Sequence, residues 1–188
     1  MKNIIQNEFN KHIETANLLH NQTDAVAKSA QLCIDTIKNG GKILLLGNGG
    51  SAADAQHIAA ELIGRYKTDR KGLPAVALTT DSSALTAIAN DFGYESVFDR
   101  QVEALANKGD TVIGISTSGK SSNVISALKL ASKLKCTTIG FSGQDAEVMN
   151  KICDVNLTVP SSDTARIQEM HILIGHTICH LIDLGFKV

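Results

Sequence analysis

Lys42-Ile43-Leu44-Leu45-Leu46-Gly47-Asn48-Gly49-Gly50-Ser51-Ala52-Ala53-Asp54 is the stretch on which the fold turns. An apolar run of strand length leads into a glycine-rich turn, and Ser51 opens a helical pattern that continues to Tyr66. Four further apolar runs of strand length follow, at Pro74 to Thr79, Thr111 to Ser116, Cys136 to Ser142 and Val155 to Pro160. The gaps between them carry helical patterns at 51–66, 82–106 and 121–135, and a shorter one near 144–150. Strands alternating with helices predict an α/β fold: a five-stranded parallel sheet covered by helices on both faces, with ligands bound where loops leave the carboxyl ends of the strands.

Outward from this core, residues 3 to about 39 place Ile4, Ile5, Phe9, Ile13 and Leu18, then Val26, Ala30, Ile34 and Ile37, at intervals of three to five, which predicts two consecutive helices stopped by Gly40-Gly41. A last helix is expected over 164–184, capped by Asp163 or Thr164, with an apolar stripe that includes Ile167, Ile174, Ile178 and Leu181. The chain of 188 residues is 43% apolar and reads as one domain over 1–188, without repeat, linker or low-complexity stretch. The terminal helices leave apolar surface for packing against other copies, or simply cover the sheet. A net charge of -1, from 18 basic and 19 acidic residues, gives no footprint for nucleic acid or an anionic membrane. The N-terminal segment lacks the unbroken apolar run of a signal peptide or membrane span, so a cytoplasmic protein is expected. Cys33, Cys136, Cys153 and Cys179 are too dispersed for a CxxC pair or a disulfide framework and read as reduced, mostly buried thiols.

Two turns suit a phosphate. Gly47, Gly49 and Gly50 let the backbone approach a ligand, and a helix begins at Ser51 with free amides and a hydroxyl at hand. The segment is neither GxGxxG nor GxxxxGK, so neither nucleotide fingerprint applies. After the third strand, Ser116-Thr117-Ser118-Gly119-Lys120-Ser121-Ser122 crowds five hydroxyls into a turn that again runs into a helix. Hydroxyls and amides hold a phosphate without a fixed positive charge, and Ser121 or Ser122 can cap the helix. Either turn alone could be structural; a pair at the ends of different strands favours a site.

The serine-rich run resembles the phosphate-binding loop of sugar isomerase (SIS) domains. Gly47 to Ser51, Glu61-Leu62-Ile63-Gly64-Arg65-Tyr66, Asn90-Asp91-Phe92-Gly93-Tyr94 and Arg166-Ile167-Gln168-Glu169-Met170-His171 together resemble the motif set of the phosphoheptose isomerase family, in the family's order and across nearly the whole chain. The resemblance implies a flavodoxin-like sheet, a homotetramer, and interconversion of sedoheptulose 7-phosphate with D-glycero-D-manno-heptose 7-phosphate through an enediol, the first step toward bacterial ADP- and GDP-heptoses. Such a reaction needs a base, an acid and an electrophile. Glu61 is the natural base, four residues beyond His57 on one helical face, although the pair also reads as a surface i,i+4 contact.

His176 is the second acid/base candidate, and the resemblance implies that His57, Glu61, Gln168 and His176 hold one Zn²⁺ per subunit, a donor set compatible with that ion. Gln168 and His176 are eight residues apart, about 12 Å of helical rise, so a shared ion requires long reach, an irregular helix or a neighbouring chain. Ser51, Ser116, Thr117, Ser118 and Ser121 would hold phosphate, while Asn48, Gly49, Gly50, Asn90, Asp91 and Gln168 would line the sugar site. Asn90 and Asp91 precede Gly93 at a turn that presents polar groups, or simply ends a helix. His171 and His180 read as structural, and Arg65 as solvated. The rival reading is a non-catalytic SIS protein that binds a partner, like the relative that associates with the replication initiator DnaA. An aminosugar phosphate isomerase or etherase comes third, since it does not account for the Asn-Asp-Phe-Gly and Arg-Ile-Gln-Glu segments together.

Overall fold

The computed structural model of the chain describes residues 1–187. Its centre is a sheet of five parallel strands, β1 (Ile43–Gly47), β2 (Ala75–Ala77), β3 (Thr111–Ser116), β4 (Thr137–Ser142) and β5 (Val155–Thr158), in the order β2-β1-β3-β4-β5. Helices α1 (Lys2–Leu18) and α2 (Thr23–Lys38) precede it, separated by a 3-10 turn. α3 (Gly50–Ile63) follows β1, α6 (Ser122–Lys133) follows β3, α7 (Glu147–Ile152) follows β4, and α8 (Thr164–Gly185) closes the chain. The expected α/β architecture is present with each strand within a few residues of its predicted run.

Strand sequences explain the two-sided cover. In β1 every residue is buried, and successive side chains point to opposite faces. Ile43 and Leu45 join Ile58, Ile113, Phe141, Ile174 and Ile178 in a core under α2, α3 and α8. Leu44 and Leu46 join Val112, Val124, Leu128 and Met149 in a second core on the other face.

One expectation is corrected. The helix predicted over 82–106 is broken into α4 (Ser82–Phe92), a 3-10 turn at Tyr94–Ser96, and α5 (Asp99–Leu105). Gly93 makes the break: its φ of 87° lies in the region L side chains avoid, so the helix cannot run through it. Asn90 and Asp91 therefore sit in the last turn of α4, exposed, with the Asn90 amide donating to the Asp91 carboxylate at 2.8 Å. Of the two caps considered for α8, Asp163 is the one used, its carboxylate accepting from the Ala165 amide.

His171 of α8 is fully buried, facing the Ser142 carbonyl at 3.2 Å from Nε2 and the Phe141 ring. Burial lowers its pKa to about 4 from 6.5. The unfolded chain therefore binds more protons between these values, and stability is lost as pH falls from 6.5 toward 4. Urea unfolding at pH 5 should give about 2 kcal/mol less stability than at pH 7 from this group. His171→Gln should flatten that difference; an equally steep dependence in the variant would remove His171 as its source.

Candidate active site

The order β2-β1-β3-β4-β5 reverses direction between β1 and β3, and the loops leaving those two neighbours bound the crevice where open α/β sheets take ligands. Gly49 carries φ 58° and turns the chain so that α3 starts at Gly50, with Ser51 buried beneath it. Across the crevice the Ser116 and Ser121 hydroxyls lie 2.9 Å apart, and the Lys120 amide donates to the Ser118 hydroxyl at 3.2 Å. Ser121 is the residue from which α6 departs, although its hydroxyl makes no capping bond. Two helix N-termini thus start beside a cluster of hydroxyls, a setting suited to an anion. Thr117 and Ser118 also border a cleft of about 200 Å³ shared with Gln144, Ser161, Ser162 and Thr164.

Asn123 locks the two loops together. Its amide exchanges hydrogen bonds with that of Asn48 at 2.9 and 3.0 Å, and the Tyr94 hydroxyl donates to Asn48 Oδ1 at 3.3 Å. Asn48 is therefore engaged in fixing loop against loop. Neither Asn123 nor Tyr94 was singled out from sequence; the only local signal for Asn123 is an asparagine in the first turn of a helix behind a serine loop.

α3 and α8 pack side by side. Ile58 lies so close to Gly175 that a Cβ there would meet Ile58 Cδ1 at 2.6 Å, which makes glycine the residue that lets the helices approach. Along this seam His57 Nε2 stands 3.2 Å from Glu61 Oε1 and 3.0 Å from His176 Nε2. The i,i+4 pair on α3 is thus completed by an imidazole from α8, and one donor atom from each of the three residues lies within 4.8 Å of the other two. Four ligand atoms around a tetrahedral zinc at 2.0–2.1 Å stand about 3.3 Å apart, so this set fits such an ion with positions left open. Tyr66 lies flat on His176, ring centroids 5.3 Å apart and planes 13° from parallel, and meets His180 at its edge.

Gln168 is brought to the other end of the seam. A Cβ on Gly50 would stand 2.3 Å from its Nε2, so its amide lies over the first turn of α3. α8 runs unbroken from Thr164 to Gly185, and an irregular helix therefore does not shorten the distance from Gln168 to His176. Between these ends Asp54 is raised to about 6 by burial, with nearby His57 pulling it down again, and its Oδ2 is buried without a hydrogen-bond partner. Arg65 is exposed.

Nearly the whole chain has counterparts among known proteins. A family model described as SIS domain matches residues 9–143. A phosphoheptose isomerase of Aliarcobacter butzleri is 64% identical over 184 residues, 97% of each chain. One of Campylobacter jejuni is 58% identical over 99% of this chain and all of its own. The solved structure of the phosphoheptose isomerase GmhA from Neisseria gonorrhoeae superposes with a TM-score of 0.92 at 44% identity, covering 97% of this chain and 98% of that one.

Proposed function

Because the chain belongs to the SIS domain family, among its phosphoheptose isomerases, we propose that it interconverts sedoheptulose 7-phosphate and D-glycero-D-manno-heptose 7-phosphate through an enediol. The observation that carries the reading is the meeting of Glu61 with two imidazoles on the pair of helices whose other ends face the glycine and serine loops. From Gly50 to Glu61 is about 16 Å of helical rise, so the glycine turn and the acid/base cluster lie toward opposite ends of α3.

In this reading the hydroxyls of Ser51, Ser116, Thr117, Ser118 and Ser121, with the amides at the starts of α3 and α6, bind the phosphate and fix the sugar's register. Asn90, Asp91, Gly49, Gly50 and Gln168 meet the sugar hydroxyls. Glu61 removes the proton beside the carbonyl and returns it to the neighbouring carbon. His176 moves the oxygen-bound proton between the two oxygens. His57, Glu61 and His176, joined by Gln168, would hold one Zn²⁺, which when bound supplies a Lewis acid beside the carbonyl. Gln168 lies a long reach away along its own α8, which favours its contribution to the ion of a neighbouring subunit.

We read residues 1–188 as one domain whose N-terminal helices pack a homotetramer. α1 supports this: Ile4, Ile5, Phe9 and Ile13 are all more than half exposed, and Thr15 is the one residue the helix buries. A Phe9→Asp, Ile13→Asp double variant should therefore leave the column as a smaller species than wild type by light scattering, and an unchanged mass would remove α1 from the interface. The cytoplasm is the proposed compartment, consistent with four free cysteines.

The test is aldose formation from sedoheptulose 7-phosphate by the purified protein, with zinc content measured before and after chelation. Turnover that chelation removes and zinc restores supports the reaction and the metal together. A folded, zinc-loaded protein without turnover would overturn the assignment and favour the partner-binding alternative.

A further inference from the structure

Asp183 and Arg70 form an ion pair at 2.6 Å in which both side chains are at most 1% exposed, and no step above uses either. One Asp183 oxygen accepts from the Lys67 and Thr68 amides at 2.7 and 2.9 Å, while the other accepts from Arg70 Nε. The rest of the guanidinium donates to the carbonyls of Glu61 at 3.0 Å and Leu62 at 2.9 Å. Burial alone would push the Asp183 carboxyl up; the two amides and Arg70 hold it below the usual carboxylate range, so it is an anion at neutral pH.

One pair thus ties three things: the last turn of α3 at Glu61, the segment that starts at Tyr66, and the C-terminal part of α8. Tyr66 is adjacent to the clamped Lys67 amide and stacks on His176, itself two turns before Asp183 on α8. Arg70 grips the backbone carbonyl of the very residue whose side chain faces His57.

We propose that Arg70, Asp183 and Tyr66 are positioning residues of the acid/base cluster: the buried pair fixes the Glu61 backbone and seats the Tyr66 ring flat on His176, setting the plane of that imidazole against His57 and Glu61. The proposal rests on the isomerase reading for its kinetic consequence alone. A ring stacked on an imidazole restricts the plane it can adopt, and misplacement of a reacting group by an ångström costs up to about a hundredfold in rate. Since none of the three is assigned to substrate, the loss falls on kcat and leaves KM near its value.

The experiment uses the full-length zinc-loaded protein with ¹³C-labelled histidine, the His176 ring signal being assigned by its disappearance in His176→Asn. Stacking should place that signal upfield in the wild type and in Tyr66→Phe, and Tyr66→Leu and Asp183→Asn should lose the shift. In parallel, kcat should fall on the order of tenfold in Tyr66→Leu with KM within about twofold, and Tyr66→Phe should restore it. A folded Tyr66→Leu with wild-type kcat, or an Asp183→Asn that keeps the upfield signal, overturns the proposal. If Asp183→Asn does not fold, Arg70→Lys and Tyr66→Leu decide by the same two readouts. A wild type without turnover counts against the isomerase reading, and the His176 signal then decides the clamp by itself.

Discussion

Glu61→Gln should lower kcat on the order of a thousandfold while leaving the thermal transition near that of the wild type. The amide keeps the size of the carboxylate and its place on α3, about a quarter exposed, so packing is preserved. What it loses is the capacity to take a proton from carbon, and a positioned general base contributes about 10²–10⁴ in rate. The Glu61 carboxylate also faces His57 Nε2 at 3.2 Å, so zinc content has to be measured in the same preparation. A variant that retains zinc and works within tenfold of wild type would exclude Glu61 as the base. A variant that loses zinc would leave its residual rate to be compared with that of chelated wild type, and only a further loss beyond that level would support the proton-transfer role.

The second large effect is expected at Gly119, in the middle of the serine loop. Its φ of 64° is left-handed, and a Cβ would stand 2.7 Å from the Ala146 Cβ and 2.8 Å from the Ala146 Cα. Ala146 is 1% exposed, so the obstruction cannot swing aside. Strain of about 1–2 kcal/mol for the conformation adds to about 1–3 kcal/mol for overpacking, so Gly119→Ala should cost about 2–5 kcal/mol. For a chain of this length that lowers Tm by roughly 4–20 °C. Any relaxation moves Ser118 and Ser121, the hydroxyls proposed for phosphate, so KM should rise on the order of tenfold with kcat little changed. Unchanged Tm and KM together would show that the loop has room this geometry denies it.

What the sequence disclosed and what it withheld divide by range. Strands with both faces buried announce themselves as unbroken apolar runs, and the two loops announce themselves by glycine and serine, since the chemistry they need is local. His57 and Glu61 were legible because four residues is one helical turn. That His176 completes their cluster was available only through likeness to a family, because nothing within α8 says which residues of α3 it will meet. Asn123 pairing with Asn48 across 75 residues, and Arg70 with Asp183 across 113, left no local trace. The helix drawn over 82–106 failed because its apolar spacing continues on either side of Gly93, although Asn90-Asp91 ahead of that glycine marks the turn at which the structure ends α4.

The pairing of α3 with α8 has a consequence for biosynthesis. His176 and Asp183 belong to α8, whereas Glu61 and Arg70 are made more than a hundred residues earlier. At about 5–20 residues per second, the nascent protein spends several seconds with the α3 face of its sheet covered by α2 and α3 alone and its cluster one imidazole short. Competence therefore arrives only once α8 has been made, and an incomplete chain that stops before α8 has neither a reactive centre nor a finished core to hide from the proteases that clear such fragments.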